Sequence, residues 1–401
     1  MTIAVINEKK TPPDKRVVLS PNACKNLLKK YPKLKIKIEP SDIRVFTNQE
    51  YRDVGIPVTD NLSDCEVFLG VKEVPISELV PNKKYFFFSH TIKKQPYNRD
   101  LLRAILEKNI ILYDHETIVN KNEHRLIGFG RYAGIVGAYN GIRAFGLKFS
   151  LFELPKAEQL KDKNDLIQHL QKISLPKIKI VLTGKGRVGR GANEILSAMG
   201  IKKVTAKDFL SNNYKQPVYT QLEVMDYNQR KDGKRGSKQD FFDHPDEYKS
   251  TFMRFSKEAD VFIAGHYWDE NAPYLFTRED AKHPDFNLSV VADISCDIDG
   301  PVATTIRPST IDSPIYGYNP ETETETDFTA ENAIAVMAVD NLPCELPRDA
   351  SVGFGKAFTE HVIGAFFNGD KDGILQRAKI TENGKLTPRF SYLQNYVDGK
   401  E

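Results

Sequence analysis

Residues 177–200 read KIKIVLTGKGRVGRGANEILSAMG, which is an apolar run, a glycine-rich turn and a helical pattern in immediate succession. Glycines placed after a strand permit a tight turn and a close approach of the backbone to a pyrophosphate, and the N-terminus of the following helix supplies unpaired N–H groups. The stretch therefore predicts a dinucleotide site, rather than a plain glycine-rich turn, built on Gly184, Gly186 and Gly189.

The next apolar run, 202–209, ends in Lys207 and Asp208. An acidic residue at the end of the second strand of such a unit accepts a hydrogen bond from the ribose 2′-hydroxyl of NAD, so Asp208 is the expected ribose ligand. Lys207 and Arg187 would instead favour the 2′-phosphate of NADP. The sequence thus predicts a nicotinamide dinucleotide as cofactor and leaves NAD or NADP open.

Short apolar runs alternate with helical stretches along the rest of the chain, a rhythm typical of parallel sheets covered by helices. An amphipathic pattern predicts a helix over 98–109, with Asn98 as its N-cap. We therefore predict an α/β fold of two Rossmann-like domains, with parallel sheets separated by a cleft. The other runs that we expect to form strands are 34–39, 66–70, 84–90, 110–116, 259–265 and 288–295.

The stretch 128–148 is rich in glycine and alanine at helical spacing, so another backbone can approach it closely, and we expect the first crossing between domains there. The predicted substrate (catalytic) domain is 1–131 plus about 331–401, and the predicted dinucleotide-binding domain is 132–330. The polar stretch 211–256 is expected to be an exposed, mobile insertion, with a phosphate or nucleic-acid patch as the alternative. The acidic stretch 321–327 is expected to be a solvated helix start or loop.

Length and composition exclude several classes of protein. The chain has 401 residues, of which 40% are hydrophobic and 28% charged, so it can bury large cores and fits two domains. The 57 basic and 54 acidic side chains nearly balance, and no apolar run approaches ~18 residues, which argues against nucleic-acid and membrane partners and for a cytoplasmic location. The four cysteines form no CxxC pair, so we expect neither a disulfide framework nor a metal site.

Lys72 and His90 each follow an apolar run, in FLGVKEVP and FFFSHTIKKQ. Polar side chains that end strands stand at the edge of a sheet, where a lysine and a histidine can exchange protons with a substrate. A solvated lysine and a structural histidine are the alternative. Arg16, Gln95 and Arg125 are polar residues that could contact a substrate carboxylate.

At these positions the sequence resembles a known family. The segments Arg16–Pro21 (RVVLSP), Gly70–Glu73 (GVKE), FFFSHTIKKQ, IGFGRYAGIVGAYNGI, IVLTGKGRVGRGANEI and DNLPCELPRDAS resemble the lysine-forming saccharopine dehydrogenase and lysine-ketoglutarate reductase family, within the alanine dehydrogenase and transhydrogenase superfamily. These segments span nearly the whole chain.

The resemblance implies a role for each matching residue. Lys72 and His90 match an acid–base pair, and Glu116 matches an acidic neighbour that tunes it. Arg16, Gln95 and Arg125 match or lie near positions that hold substrate carboxylates. The cofactor site implied by the resemblance comprises Gly184, Gly186, Arg187, Val188, Gly189 and Asp208, together with Val339, Asp340, Asn341 and Leu342 beside the nicotinamide.

The sequence therefore predicts an NAD(P)-dependent oxidoreductase that acts on CH–NH groups and interconverts saccharopine with L-lysine and 2-oxoglutarate. Its partners would be small-molecule substrates, and it would be a monomer or a small homo-oligomer. The alternatives are an alanine dehydrogenase-like amino acid dehydrogenase and a non-catalytic nucleotide-binding module.

Overall fold

Two mainly parallel sheets organise the chain in the computed structural model, which describes residues 1–400. One sheet belongs to Met1–Phe129 with Pro347–Glu401, here called unit 1, and the other to Gly130–Leu346, here called unit 2. The sequence predicts that the chain returns to the first unit at about residue 331. The observed return lies later because the strand Ile334–Met337 pairs in parallel with Val290–Asp293 of unit 2. The predicted α/β class with two Rossmann-like parallel sheets is confirmed.

Unit 1 contains a five-stranded sheet, all of whose neighbouring strands are parallel, in the order β2-β1-β3-β4-β5. Its first elements are β1 (Thr2–Val5), α1 (Pro21–Lys30), β2 (Lys35–Ile38), α2 (Asn48–Asp53), β3 (Val67–Leu69), β4 (Lys84–Phe87), α3 (Arg99–Glu107) and β5 (Ile111–Asp114).

Four of these five strands fall within the apolar runs that predict them, and β1 is the strand without a prediction. The strands are buried because both faces of the sheet are covered, and Phe68, Tyr85 and Leu102 share one core cluster. The predicted helix is α3, and Asn98 stands at its N-cap position without a side-chain capping bond.

Unit 2 contains an eight-stranded sheet in the order β14-β13-β15-β12-β11-β6-β8-β7, in which β13 and β14 are the antiparallel strands. The strands of unit 2 are β6 (Lys179–Thr183), β7 (Lys202–Lys203), β8 (Val218–Leu222), β9 (Asn228–Arg230), β10 (Tyr248–Ser250), β11 (Val261–Ala264), β12 (Val290–Asp293), β13 (Ile315–Asn319), β14 (Thr324–Thr326) and β15 (Ile334–Met337). Of these, β9 and β10 form a separate two-stranded sheet. Its helices are α4 (Gly130–Lys148), α5 (Lys163–Leu170), α6 (Arg187–Ala198), α7 (Ala206–Ser211), α8 (Lys238–Asp243), α9 (Met253–Ser256) and α10 (Arg278–Lys282).

The chain then returns to unit 1. The remaining elements are α11 (Pro347–Phe358), α12 (Gly364–Asn368), α13 (Ile374–Ala378), β16 (Thr381–Glu382), β17 (Lys385–Leu386) and α14 (Gln394–Asp398). The Thr381 hydroxyl accepts a hydrogen bond from the N–H of Leu112 in β5 and donates one to the carbonyl of Ile110. These bonds attach the segment to the edge of the sheet.

Three expectations for unit 2 are wrong. The run 202–209 is a two-residue strand followed by α7, because the Thr205 side chain caps the backbone N–H of Asp208 and turns the chain into a helix. The stretch 211–256 is not a loose insertion, since it contains β8, which pairs along its whole length with β6. The stretch 321–327 contains the edge strand β14, which pairs with β13, and Glu325 there binds Arg307 at 2.6 Å.

The glycine-rich stretch 128–148 contains α4, which packs directly on α6. A Cβ on Gly134 would lie 1.9 Å from the carbonyl oxygen of Val188, and one on Gly191 would lie 2.0 Å from that of Arg131. The predicted close approach of another backbone is therefore confirmed. No helix within residues 1–400, α4 included, combines the length and apolar character that crossing a membrane requires.

Candidate functional site

The turn after β3 carries Lys72 and is held from two sides by buried side chains. The carboxyl group of Glu8, which follows β1, accepts hydrogen bonds from the backbone N–H groups of Val71 at 2.6 Å and Lys72 at 2.8 Å. On the other side, Nε2 of His115 lies 2.9 Å from the carbonyl oxygen of Gly70. Because both contacts are to the backbone, they fix the position of the turn and leave the Lys72 side chain unconstrained by them.

Both of these supporting groups have shifted pKa values. Burial raises the pKa of Glu8 to about 8, although its two backbone hydrogen bonds oppose the shift. Burial lowers the pKa of His115 to about 3. A carbonyl oxygen only accepts, so the neutral His115 donates through Nε2–H to Gly70. Phe88 and Phe354 pack against the ring, which is 0% exposed.

His90 forms a pair with Glu73, the residue that follows Lys72. Nδ1 of His90 lies 2.6 Å from Oε1 of Glu73, and Lys10 binds the other oxygen at 2.7 Å. Burial opposes ionisation of Glu73, but the hydrogen bonds from His90 and Lys10 prevail and lower its pKa to about 2. An ionised carboxylate only accepts, so Nδ1 of His90 carries a hydrogen and Nε2 is the atom left for proton exchange.

Lys72 and Glu73 also line one cavity in unit 1. The cavity has a volume of about 330 Å³, and it lies beside the carboxyl ends of β1 and β3. Charged side chains and the apolar Phe68 and Tyr85 share its wall. A lysine and an ionised carboxylate at the edge of a parallel sheet can bind and protonate a polar ligand there.

The predicted carboxylate ligands differ in their surroundings. Arg16 is buried, and its guanidinium binds Asp14 through Nε at 3.0 Å and Nη2 at 2.6 Å. Burial opposes the charge of Asp14, but Arg16 holds the pKa of Asp14 below its usual value, and Lys72 adds to the effect. Arg16 is therefore already engaged by a carboxylate of its own unit.

Glu116, Arg125 and Gln95 lie in the loops that follow β5 and β4. Nη1 of Arg125 lies 3.5 Å from Oε1 of Glu116, and Lys93 lies 3.6 Å from the same oxygen. Gln95 is exposed and accepts a hydrogen bond from the Tyr97 hydroxyl at 2.5 Å. The structure thus brings Glu116 together with Arg125, whereas the carboxylate against His90 belongs to Glu73.

In unit 2 the glycine turn has the geometry that the sequence predicts. Gly184 has φ +89°, and a Cβ there would lie 2.3 Å from the carbonyl oxygen of Gly265. A Cβ on Gly189 would lie 2.0 Å from the carbonyl oxygen of Gly184, whereas one on Gly186 would meet no atom within 4 Å. Gly184 and Gly189 are therefore required by the fold, and Gly186 faces open space at the N-terminus of α6, where a phosphate group fits.

The turn opens into a pocket of about 520 Å³ that residues 184–188 line together with Glu223. Glu223 directly follows β8, the neighbour of β6 in the sheet, and one of its oxygens lies 3.4 Å from Nζ of Lys185. Asp208 lies instead in the first turn of α7, where its carboxylate accepts from Thr205 at 2.8 Å. Glu223, and not Asp208, therefore ends the strand beside β6 and lines this pocket, because β8 rather than the run 202–209 is the neighbour of β6.

The remaining predicted cofactor residues follow β15. Val339 forms an isolated parallel β-bridge with Ser309, Asp340 is exposed, and Leu342 begins a short 3₁₀ helix. Leu342 and Ile294 both approach Gly137 of α4, so this segment is packed within unit 2.

Five residues of these sites were not predicted from the sequence: Glu8, Glu73, His115, Glu223 and His266. Glu73 had a signal, since it completes the motif Gly70–Glu73. Glu223 had a weaker one, as the acid that ends the apolar run VYTQL. His266, after β11, lines the same pocket as Glu223, and burial lowers its pKa to about 4, so it is neutral near pH 7.

Both domains of one protein family match the chain. The alanine dehydrogenase/PNT N-terminal domain matches residues 4–136, and the alanine dehydrogenase/PNT C-terminal domain matches residues 161–388. The second match alone covers more than half of the chain.

Named relatives align with nearly the whole chain. The alpha-aminoadipic semialdehyde synthase of Arabidopsis thaliana is 28% identical over 95% of this chain and 40% of its own length, and that of Bos taurus is 28% identical over 92% and 45%. The saccharopine dehydrogenase [NAD(+), L-lysine-forming] of Yarrowia lipolytica is 26% identical over 88% of this chain and 89% of its own. The chain thus spans less than half the length of the semialdehyde synthases that it matches.

Solved structures with this fold include an L-alanine dehydrogenase, with a TM-score of 0.65 at 17% identity over the full length of both chains. A transhydrogenase from Sinorhizobium meliloti has a TM-score of 0.57 at 13% identity, over 96% of this chain and 100% of its own. At these identities the similarity establishes the fold.

Proposed function

The chain belongs to the alanine dehydrogenase/PNT family, and from this premise we propose that it is an NAD-dependent oxidoreductase that interconverts saccharopine with L-lysine and 2-oxoglutarate. The saccharopine dehydrogenases that are named as L-lysine-forming support the substrate class, since they align with 88% or more of the chain. The observation that carries the proposal is the ionised Glu73, which follows Lys72 in the chain and binds His90.

His90 and Lys72 would move the protons of the reaction. In the direction that forms lysine, loss of a hydride from the glutamyl α-carbon leaves an imine, water adds to its carbon, and the C–N bond then breaks to release lysine. His90, through Nε2, would accept the proton of the attacking water, and Lys72 would exchange protons with the substrate nitrogen before it departs. Glu73 would stabilise the charge that His90 acquires.

Unit 2 would hold the dinucleotide. Gly186 and the first N–H groups of α6 would bind the pyrophosphate, and Arg187 and Val188 belong to the same turn. When bound, the nicotinamide accepts or supplies the hydride. Glu223 would accept a hydrogen bond from the adenosine ribose and repel a 2′-phosphate, which favours NAD over NADP.

The other predicted residues have defined places in this proposal. Arg125 would hold a substrate carboxylate if that carboxylate displaces Glu116. Arg16 would bind a substrate carboxylate in place of Asp14, or its pair with Asp14 would fix the loop before α1. Gln95 would contribute a neutral amide. Val339, Asp340, Asn341 and Leu342 would close beside the nicotinamide. The cytoplasmic location expected from the sequence stays a prediction.

A panel of amino donors and keto acids, scored by loss of NADH or NADPH absorbance, tests the proposal. We expect turnover with L-lysine and 2-oxoglutarate together, and none when either is omitted. Turnover with pyruvate and ammonia alone would indicate an alanine dehydrogenase-like enzyme instead. Absence of turnover with every pair, together with retained dinucleotide binding, would indicate a non-catalytic binding module.

A further inference from the structure

The polar stretch after Glu223 forms an ordered wall of the unit 2 pocket. The antiparallel strands β9 and β10 form its base, and α8 lies between them in sequence. The Arg230 guanidinium holds this segment together, since it binds Asp240 of α8 at 2.6 Å and Asp232 at 3.1 Å. The segment is therefore anchored to its own base by side-chain ion pairs rather than left free.

Two successive phenylalanines of α8 face different surroundings. Phe241 is 7% exposed and packs with Tyr248 and Ala272 in a small core. Phe242 is 51% exposed, and yet it lines the pocket that also contains Gly186 and Glu223. A large apolar ring left half-exposed in a pocket wall loses the stabilisation that burial provides, so its position favours a ligand that covers it.

The sheet order identifies which end of a dinucleotide would reach Phe242. The adenosine half of a dinucleotide lies over the second strand of the βαβ unit, and the nicotinamide half lies over the strands beyond the first. Here the second strand is β8, which leads through Glu223 to the segment that carries α8, whereas β11 and β12 lie on the opposite side of β6. Phe242 lines the same pocket as Glu223, the residue that ends β8, and this shared wall favours the adenosine side.

We propose that Phe242 is an adenine-binding residue, whose ring stacks on the adenine of the dinucleotide, and that the α8 segment forms the adenine-side wall of the pocket. Nζ of Lys238 lies 5.7 Å from the centre of the Phe242 ring, one turn earlier on α8, and steadies the ring through a cation–π contact. This inference rests on the proposed dinucleotide site and adds a residue to it.

The chain offers a matched control. Phe149, near the end of α4 in the same unit, is 44% exposed and has Lys148 at 5.7 Å from its ring centre. Phe149→Ala therefore removes a similar exposed ring with a similar cation contact, outside the residues that line the pocket.

The test is calorimetric titration of the full chain with NADH, ADP-ribose and nicotinamide mononucleotide. Phe242→Ala is expected to weaken NADH and ADP-ribose binding by about tenfold, because stacking of a base on an aromatic ring contributes on this order. Its affinity for nicotinamide mononucleotide should match the wild type, Phe242→Tyr should restore binding, and Phe149→Ala should change nothing.

Unchanged ADP-ribose affinity in Phe242→Ala would overturn the inference, as would an equal loss in Phe149→Ala. These results are distinct from a failure of the proposed function. If the wild-type chain binds ADP-ribose through Phe242 but turns over no substrate pair, the adenine site stands and the proposed reaction is wrong. A wild-type chain that binds no dinucleotide would overturn both.

Discussion

Oε1 of Glu73 lies 2.6 Å from Nδ1 of His90, although the two residues are 17 positions apart in the chain. The contact joins the turn after β3, which carries Lys72, to the end of β4. It sets the tautomer of His90 and supplies a negative charge beside the ring.

Glu73→Gln is expected to lower turnover with lysine and 2-oxoglutarate by about tenfold or more, because the amide keeps an acceptor but removes the charge that stabilises a protonated His90. Steady-state rates across pH measure the effect, and NADH affinity should not change. The control is Glu258→Gln, whose carboxylate pairs with Lys179 at 2.7 Å and lines neither pocket. Equal losses in both variants would assign Glu73 to the fold and not to the chemistry.

Lys72→Met and His90→Gln are each expected to lower turnover by roughly 10²-fold or more while NADH affinity stays near that of the wild type. The double variant should lose much less than the product of the two single losses, since groups that act as a unit are not additive. Rate measurements as a function of pH should remove or displace one limb of a bell-shaped profile in each single variant. Near-normal rates in both single variants would exclude the proposed acid–base pair.

Gly186→Val is expected to abolish dinucleotide binding and leave the thermal midpoint of unfolding near the wild type, because its side chain would enter open space at the N-terminus of α6. Gly189→Ala should lower both binding and the thermal midpoint, because its Cβ would collide with the Gly184 carbonyl. Titration with NADH and thermal melts distinguish the two glycines. Normal NADH affinity in Gly186→Val would remove this turn from the cofactor site.

Glu223→Ser is expected to raise the ratio of NADP to NAD turnover, since it removes the carboxylate that repels a 2′-phosphate and leaves Lys185 without its partner. Asp208→Ala serves as the matched control and should leave the ratio unaltered. Both ratios are read from the kcat/KM values of the two cofactors. A change of ratio in Asp208→Ala, with none in Glu223→Ser, would restore the ribose site to α7.

The buried His115 is expected to make stability depend on pH. Its pKa is about 3 in the folded state against an ordinary value of 6.5, so between these values the unfolded chain binds a proton that the folded chain does not. Its contribution is fully present above pH 6.5 and is lost as the pH falls toward 3, at up to about 1.4 kcal/mol per pH unit.

Urea unfolding of the wild type and His115→Gln at pH 7, 6 and 5 measures this slope. Glutamine can still donate to the Gly70 carbonyl but does not titrate, so the variant should lose less stability than the wild type as the pH falls. Parallel pH slopes in the two proteins would show that His115 does not set this dependence. His266→Gln provides the corresponding measurement in unit 2, where the pKa of His266 is lowered to about 4 by burial.

Much of the framework follows from local sequence. The apolar runs of β2 to β5, β6, β11 and β12 are short and bounded by polar or glycine residues, so their existence can be predicted without knowing their neighbours. The glycine turn is equally local, because Gly184, Gly186 and Gly189 serve one strand–helix connection. Lys72 and His90 were singled out for the same reason, since each lies three residues after the end of a strand.

Tertiary structure decided which of these local features meet. Which acid ends the strand beside β6 depends on the sheet order, which places β8 and Glu223 there and leaves Asp208 in α7. The partner of His90 depends on the pairing of β3 with β4, which brings Glu73 across. Local sequence determined the strands β2 to β6, β11 and β12 and the glycine turn, because those depend on adjacent residues. The identity of the carboxylate at each candidate site was decided by parallel pairing between segments far apart in the chain.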